Sequence, residues 1–234
     1  MTARERVLVV GASGFGRETL DVVEAMVANG HPIESIGVLD DRPSEANLCR
    51  LQDRDIRYLG TVDNWLLTGD RQVGFLVGIG DPHVRRAIAE RLELAGFRAA
   101  IAVHPSVTIG SRTRIEGGVV VCAGAAISTN ARLGQHVHVN AHATIGHDAV
   151  LGSFVSVNPA ATISGEVTVG PGTLVGAGAT ILQNLAVGGG SVIGAGAVVT
   201  KDVSPGVLVV GVPAVVRRRL SGAPSTVPPD EVKA

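Results

Sequence analysis

From Val103 to Val199 an aliphatic residue stands at every sixth position without a break: Val103, Ile109, Ile115, Val121 and so on through Ile193 and Val199. Small or β-branched residues recur four places after many of these rungs, as at Val107, Ala125, Ala143, Ala161, Ala179 and Ala197, and glycine often follows the rung directly. A period of six suits neither an amphipathic helix nor an alternating strand. It suits a solenoid in which each short strand and its turn form one side of a triangular coil of about eighteen residues. Rung side chains then point inward and bury themselves only against the coils above and below. The seventeen rungs make between five and six coils.

The 234 residues are read as two units with a cap: residues 1–102, 103–204 and 205–220, with 221–234 a Pro-, Ser- and charge-rich tail whose composition predicts disorder. A net charge of −1 without a basic run, and 3% aromatic residues, argue against nucleic acid and an anionic membrane surface as partners. No stretch is long enough to span a bilayer, and no leader precedes the first strand, so the expected location is the cytoplasm. Cys49 and Cys122 suit a reducing compartment, and Cys122, beside rung Val121, is expected as a packed residue.

In the first unit, Val7-Leu8-Val9-Val10 reads as a buried strand entering Gly11-Ala12-Ser13-Gly14-Phe15-Gly16 and a helix from about Arg17 to Asn29. A glycine turn at a helix N-terminus suits an anionic ligand, but the order GxxGxG departs from the GxGxxG dinucleotide fingerprint. Ile36 to Leu39 forms the second strand, ending at Asp40-Asp41; Gly74 to Gly80 forms the third strand and turn, followed by a helix from Asp81 to Ala95. The fold class is thus an α/β, Rossmann-like N-terminal domain with a short parallel sheet, followed by a parallel β-helix of hexapeptide repeats. Its ligand crevice is expected at the strand C-termini.

Histidines gather at His136, His138, His142 and His147. Eighteen-residue arithmetic stacks His147 between Thr129 and Gly165, and the glycine is expected to leave open space for a substrate beside the imidazole. Asp148 follows, a carboxylate placed to orient a histidine base. Asn140 stacks over Asn158 and is equally readable as structural. The rival is zinc, because His142 and His147 are five apart, similar to the spacing in γ-class carbonic anhydrases; but the third ligand position falls on Ser106, so no metal is expected.

Together GASGFG, LDD, GIGD, IGHDAVLG, the ISG turn and the final GVPA resemble the bacterial nucleotide-sugar N-acetyltransferases acting on UDP-4-amino-sugars and GDP-perosamine, and the related sialic acid O-acetyltransferases. The resemblance runs from about Arg6 to Arg217. It implies a left-handed β-helix, a homotrimer with sites between neighbouring helices, acetyl-CoA as co-substrate and a nucleotide-linked amino sugar as partner. It implies His147 as catalytic base, Asp148 as its support and Asn140 as a neighbouring polar residue. Ser13, Gly14, Phe15, Asp40, Asp41 and Gly80 are assigned to the nucleotide sugar, and Ser156, Gly165, Ala177 and Ala195 to acetyl-CoA. Phe15 and Ser156 stand where family members carry histidine, and Asp148 replaces the glutamate of the UDP-bacillosamine branch, closer to the perosamine branch. O-acetylation of a sugar hydroxyl through the same His147 is the alternative reading.

Overall fold

The computed structural model describes residues 4–220; the predicted tail at 221–234 lies outside them. The first unit runs β1 (Glu5–Val10), α1 (Gly14–Ala28), β2 (Ile33–Leu39), α2 (Glu45–Gln52), α3 (Val62–Thr68), β3 (Gly74–Val77) and α4 (Pro82–Leu94). Its sheet has the order β2-β1-β3, all parallel. The central strand is buried on both faces, which is why it reads as an uninterrupted run, Val7 to Val10, rather than an alternation.

Local chemistry sets the helix starts. Helix α1 begins at Gly14, earlier than the sequence expectation, and Gly16 in its first turn packs directly on the Gly11 carbonyl, where any Cβ would collide. Pro82 opens α4 behind Asp81, whose carboxylate accepts from the N–H groups of His83 and Val84 at 2.8 and 3.0 Å. The short helices α2 and α3 have no counterpart in the sequence reading. Each is started by a hydroxyl cap, Ser44 accepting from Asn47 N–H and Thr61 from Asn64 N–H, and each is too short to display a full helical period.

Seventeen two-residue strands follow, from 102–103 to 198–199, as a left-handed parallel β-helix. Each of the first fourteen pairs with the strand eighteen residues on: Ala102 with Val120, Val120 with His138, His138 with Ser156. Three faces result. Face one carries 102–103, 120–121, 138–139, 156–157, 174–175 and 192–193; face two begins at 108–109 and face three at 114–115. From Val121 to Val199 the rungs are at most 2% exposed. The first coil departs from the inward expectation: Ile109 is 46% exposed, having no coil beneath it.

Two glycine rules hold the coils together. Glycines just after a rung, such as Gly110, Gly146 and Gly170, are required because the turn of the next coil presses on the position a Cβ would occupy. A second position, three residues after every rung from Ile109 to Ile193, takes left-handed φ at every sixth residue from Arg112 to Gly196, including Asn130, His136, His142, Asp148 and Glu166 at 56 to 60°. Non-glycine residues there carry a cost of about 1–2 kcal/mol each, which the ladder on both sides offsets.

The α/β unit docks on face one. Ala102, Val120 and Cys122 share an apolar cluster with Val7, Val9 and Leu20, so the boundary between the two units runs through a packed core. Burial pushes the Cys122 thiol up to about 12, with Glu18 and Asp21 adding to it, which leaves it a packing residue. At the far end, residues 207–210 and 215–219 form an antiparallel hairpin over Gly211-Val212-Pro213-Ala214, the Val212–Pro213 bond being cis. Ala214 N–H donates to the Val198 carbonyl at 2.7 Å, closing the last coil. Among the described residues no helix is long and apolar enough to cross a membrane.

Candidate active site

The corner between faces two and three carries His147 and Asp148 on consecutive turn positions. Asp148 N–H donates to Thr129 O at 3.0 Å, and His147 O accepts from Glu166 N–H at 2.8 Å, so both neighbouring coils fix the backbone. His147 Nδ1 lies 2.8 Å from Asp148 Oδ2. The other carboxylate oxygen, Oδ1, accepts from Asn130 Nδ2 at 2.9 Å. The His147 bond, and after it the Asn130 bond, hold the Asp148 carboxyl below the usual carboxylate range. An ionised Asp148 accepts only, so Nδ1 carries a proton in this bond, and in the neutral ring Nε2 is the lone-pair nitrogen. The two side chains are 57% and 45% exposed.

Gly165 lies beside the ring as the coil count requires, but the space is not empty. A Cβ at 165 would collide with Nε2 and Cε1 of His147: the imidazole itself occupies the gap. Glycine also fails to single out His147. His136 rests on Gly118 and His142 on Gly124 in the same manner, one coil before each. What separates His147 is its exposed ring and its carboxylate.

The other histidines divide by corner and face. His142 projects from the corner between faces one and two, so it shares no site with His147 within one chain. Among the described residues no three His, Cys, Asp or Glu side chains gather as a metal set. His136, at the third corner, is fully buried, stacked on Phe154 at 5.0 Å between centroids, with Nε2 3.0 Å from Glu93 Oε1. His138, on face one, is 1% exposed, and neither ring nitrogen has a well-formed hydrogen-bond partner. Burial lowers its pKa well below that of a free imidazole, and the charges of Arg85 and His136 add to the effect.

Arg85 clamps the two units together and carries no sequence signal. Fully buried, it donates to the Ile79 and Gly80 carbonyls at the tip of β3, and to the His136 and Phe154 carbonyls and Ser156 Oγ of the β-helix. Burial lowers it to about 9. Ser156 is thereby accounted for. Its hydroxyl accepts from Arg85 at 2.9 Å and donates to Gly80 O at 3.2 Å, and the residue is 2% exposed. Within the chain it is closed off from solvent. Ala177 and Ala195 stand at the corner between faces one and two, away from Gly165 at the His147 corner. Asn140, at 8% exposure, donates Nδ2 to Val157 O at 3.0 Å and makes no hydrogen bond to His147.

At the C-terminal tips of the parallel strands lies a cleft of about 200 Å³ lined by Val10, Gly11, Asp40, Asp41, Arg42, Val62, Ile79, Val84 and Ile88. Asp40 Oδ2 accepts from Ala12 N–H and Oδ1 from Arg42 N–H, each at 2.8 Å, while Asp41 Oδ1 accepts from Val62 N–H at 2.8 Å. The pair therefore shapes the cleft wall. Ser13 and Gly14 are exposed at the neighbouring tip, and Gly80 is exposed beyond Ile79. Phe15 turns away, packing its ring 4.5 Å from that of His138. The sequence reading missed Arg42, Val62, Val84 and Ile88, which reach the cleft from α3, α4 and the loop after β2.

Residues 6–92 match the PglD N-terminal domain family. The acetyltransferase domain of PglB from Neisseria gonorrhoeae FA1090 is 31% identical, with a TM-score of 0.80, over 91% of this chain and 100% of that one. Its complex with acetyl coenzyme A aligns at 30% identity and TM-score 0.80, over 92% and 100%. A perosamine N-acetyltransferase mutant from Caulobacter crescentus, in complex with CoA and GDP-perosamine, is 28% identical with a TM-score of 0.80, over 92% and 98%. None of the curated proteins compared matches the chain.

Proposed function

The chain belongs to the hexapeptide-repeat sugar acetyltransferases, and from that premise we propose that it moves an acetyl group from acetyl-CoA to the amino group of a nucleotide-linked amino sugar, with His147 as general base. The observation that carries the site assignment is the His147–Asp148 pair at an exposed corner, with Nδ1 held by a carboxylate and Nε2 without a hydrogen-bond partner among the described residues.

In this reading the amine nitrogen attacks the thioester carbonyl while Nε2 of His147 takes its proton. Asp148 steadies the imidazolium. The C–S bond then breaks, and the CoA thiolate leaves with the proton that the imidazolium returns. The Gly165 N–H, which Gly146 has no side chain to cover, is the proposed donor to the developing oxyanion. Asn140 acts through the backbone, holding the turn after its rung. The nucleotide end is assigned to the cleft of Asp40 and Asp41, with Ser13, Gly14 and Gly80 at its rim. At about 200 Å³ it is smaller than the roughly 300 Å³ of pockets for whole drug-sized ligands, so it takes part of the nucleotide and the sugar extends beyond.

Acetyl-CoA is assigned to a groove between chains. Gly165 and the pair Ala177 and Ala195 lie at different corners of one prism, and a homotrimer brings such corners of neighbouring chains together. Residues 1–102 would serve the nucleotide sugar and 103–204 the transfer, in the cytoplasm. The test is to incubate the protein with acetyl-CoA and UDP-, GDP- and dTDP-linked 4-amino sugars, with their 4-hydroxy counterparts alongside. Alkali-stable acetylation of an amino sugar supports the reading; an alkali-labile ester on the hydroxy sugars alone establishes the O-acetyltransferase instead. Mass measurement of the native assembly tests the trimer.

A further inference from the structure

One coil before Asp148, at the same turn position, stands Asn130. The two backbones share the left-handed conformation, φ 60 and 59°. Adjacent strands of a ladder run about 4.8 Å apart, so equivalent side chains lie side by side. Asn130 Nδ2 reaches Asp148 Oδ1 at 2.9 Å, while Oδ2 of the same carboxylate holds His147 Nδ1 at 2.8 Å.

We infer that Asn130 is a positioning residue for acetyl transfer: it fixes one oxygen of Asp148 so that the other is presented to His147, keeping Nε2 as the free base. The inference rests on His147 being the base. The physical need is specific. Asp148 sits on an exposed turn, where its carboxylate can rotate and exchange either oxygen with water. A donor on the preceding coil removes that freedom on one side only. An acid at 130 would repel Asp148, and a lysine would compete with His147 for the carboxylate. An amide supplies a donor with no charge. Asparagine also tolerates left-handed φ, and Asn184 has the same backbone with no side-chain hydrogen bond among the described residues, so residue type alone does not make the case. The bond to Asp148 does, and the lowered Asp148 pKa, which Asn130 supports second to His147, agrees with it.

Two substitutions separate the amide from the backbone. Asn130→Gly keeps the left-handed turn unstrained and removes the donor. Asn130→Asp keeps the shape and the tolerance of positive φ but replaces donor with anion. Both are measured in the full chain with acetyl-CoA and the amino sugar that serves as acceptor, recording kcat, both KM values, the pH profile of kcat and the melting temperature. Expected for Asn130→Gly is a kcat lower by about tenfold, the low end for loss of a partner that orients a site ligand, with both KM values and the melting temperature held. Expected for Asn130→Asp is a larger loss, with the acidic limb of the profile moved to higher pH because the added anion favours the imidazolium. A kcat within twofold of the parent in Asn130→Gly, or a melting-temperature loss with the profile unmoved, overturns the inference. His147→Ala is run in parallel: if it stays active, the base assignment falls and Asn130 with it; if it is inactive while Asn130→Gly is normal, only the role of Asn130 falls.

Discussion

At the corner between faces three and one, His136 is fully buried against Phe154 and Glu93, and its neighbour His138 is sealed under Phe15 with no well-formed hydrogen bond among the described residues. At the corner between faces two and three, His147 is more than half exposed and tied to Asp148. The solenoid brings these residues to neighbouring but not identical turn positions. His136 and Asp148 share one left-handed turn position, and His136 and His147 each lie against a glycine one coil away. The difference comes from what docks outside. The α/β unit covers face one and the adjoining corner, dehydrating the imidazoles there into neutral packing groups, while the other corner stays wet and keeps a charged partner. A repeat therefore supplies histidines at comparable corners, and the docked α/β unit leaves only the uncovered corner with an exposed, carboxylate-paired imidazole.

The largest test of that contrast is His147→Ala. Loss of a general base should lower kcat by at least about a hundredfold while the melting temperature stays near that of the parent, since the ring is exposed. Activity within tenfold of the parent would remove His147 from the mechanism.

Next comes the same substitution at the glycine under each histidine. At Gly165 an added methyl collides with Nε2 and Cε1 of a ring that has solvent to move into, and the backbone φ is ordinary. Gly165→Ala should keep its fold and lose about tenfold in kcat, as a ring displaced from its attack geometry does. At Gly118, where φ is +77°, the methyl meets His136, which is enclosed. Gly118→Ala should cost about 2–5 kcal/mol of stability, summing overpacking and left-handed strain. Denaturant midpoints and initial rates on both variants check this. Equal stability losses would mean the two corners are not as different as their exposure indicates.

The contrast also explains what was legible. The ladder, the coil length and the glycine turn are periodic or local features, so the fold and the His147–Asp148 pair could be read from residue spacing. Docking is neither. Nothing in the spacing says that Ser156 faces the α/β unit, where Arg85 and Gly80 occupy its hydroxyl. Arg85 itself, in an ordinary helix of charged residues, carries no mark of burial. The count sets Gly165 beside His147 but says nothing of the direction of the ring, which fills the space the glycine leaves. The eighteen-residue coil that sets His147 over Thr129 also sets Asp148 over Asn130, a neighbour legible from the same count.

The smallest expected effect concerns pH. Burial holds the His138 pKa well below its ordinary value, with Arg85 and His136 adding to the shift. The folded state thus resists a proton that the unfolded chain accepts below about pH 6.5. Stability from this group is therefore full above that pH and falls as pH drops, by up to about 1.4 kcal/mol per unit. His136 pulls in the same direction more weakly, since burial lowers its pKa while Glu93 opposes the shift. Replacing His138 with leucine keeps the bulk and removes two unpaired nitrogens. Between pH 7.5 and 5.5, His138→Leu should lose about 1 kcal/mol less than the parent in urea unfolding, with kcat unchanged at pH 7.5. Parallel losses in the two proteins would show that His138 takes up a proton while folded, and that the corner under the α/β unit is wetter than its packing implies.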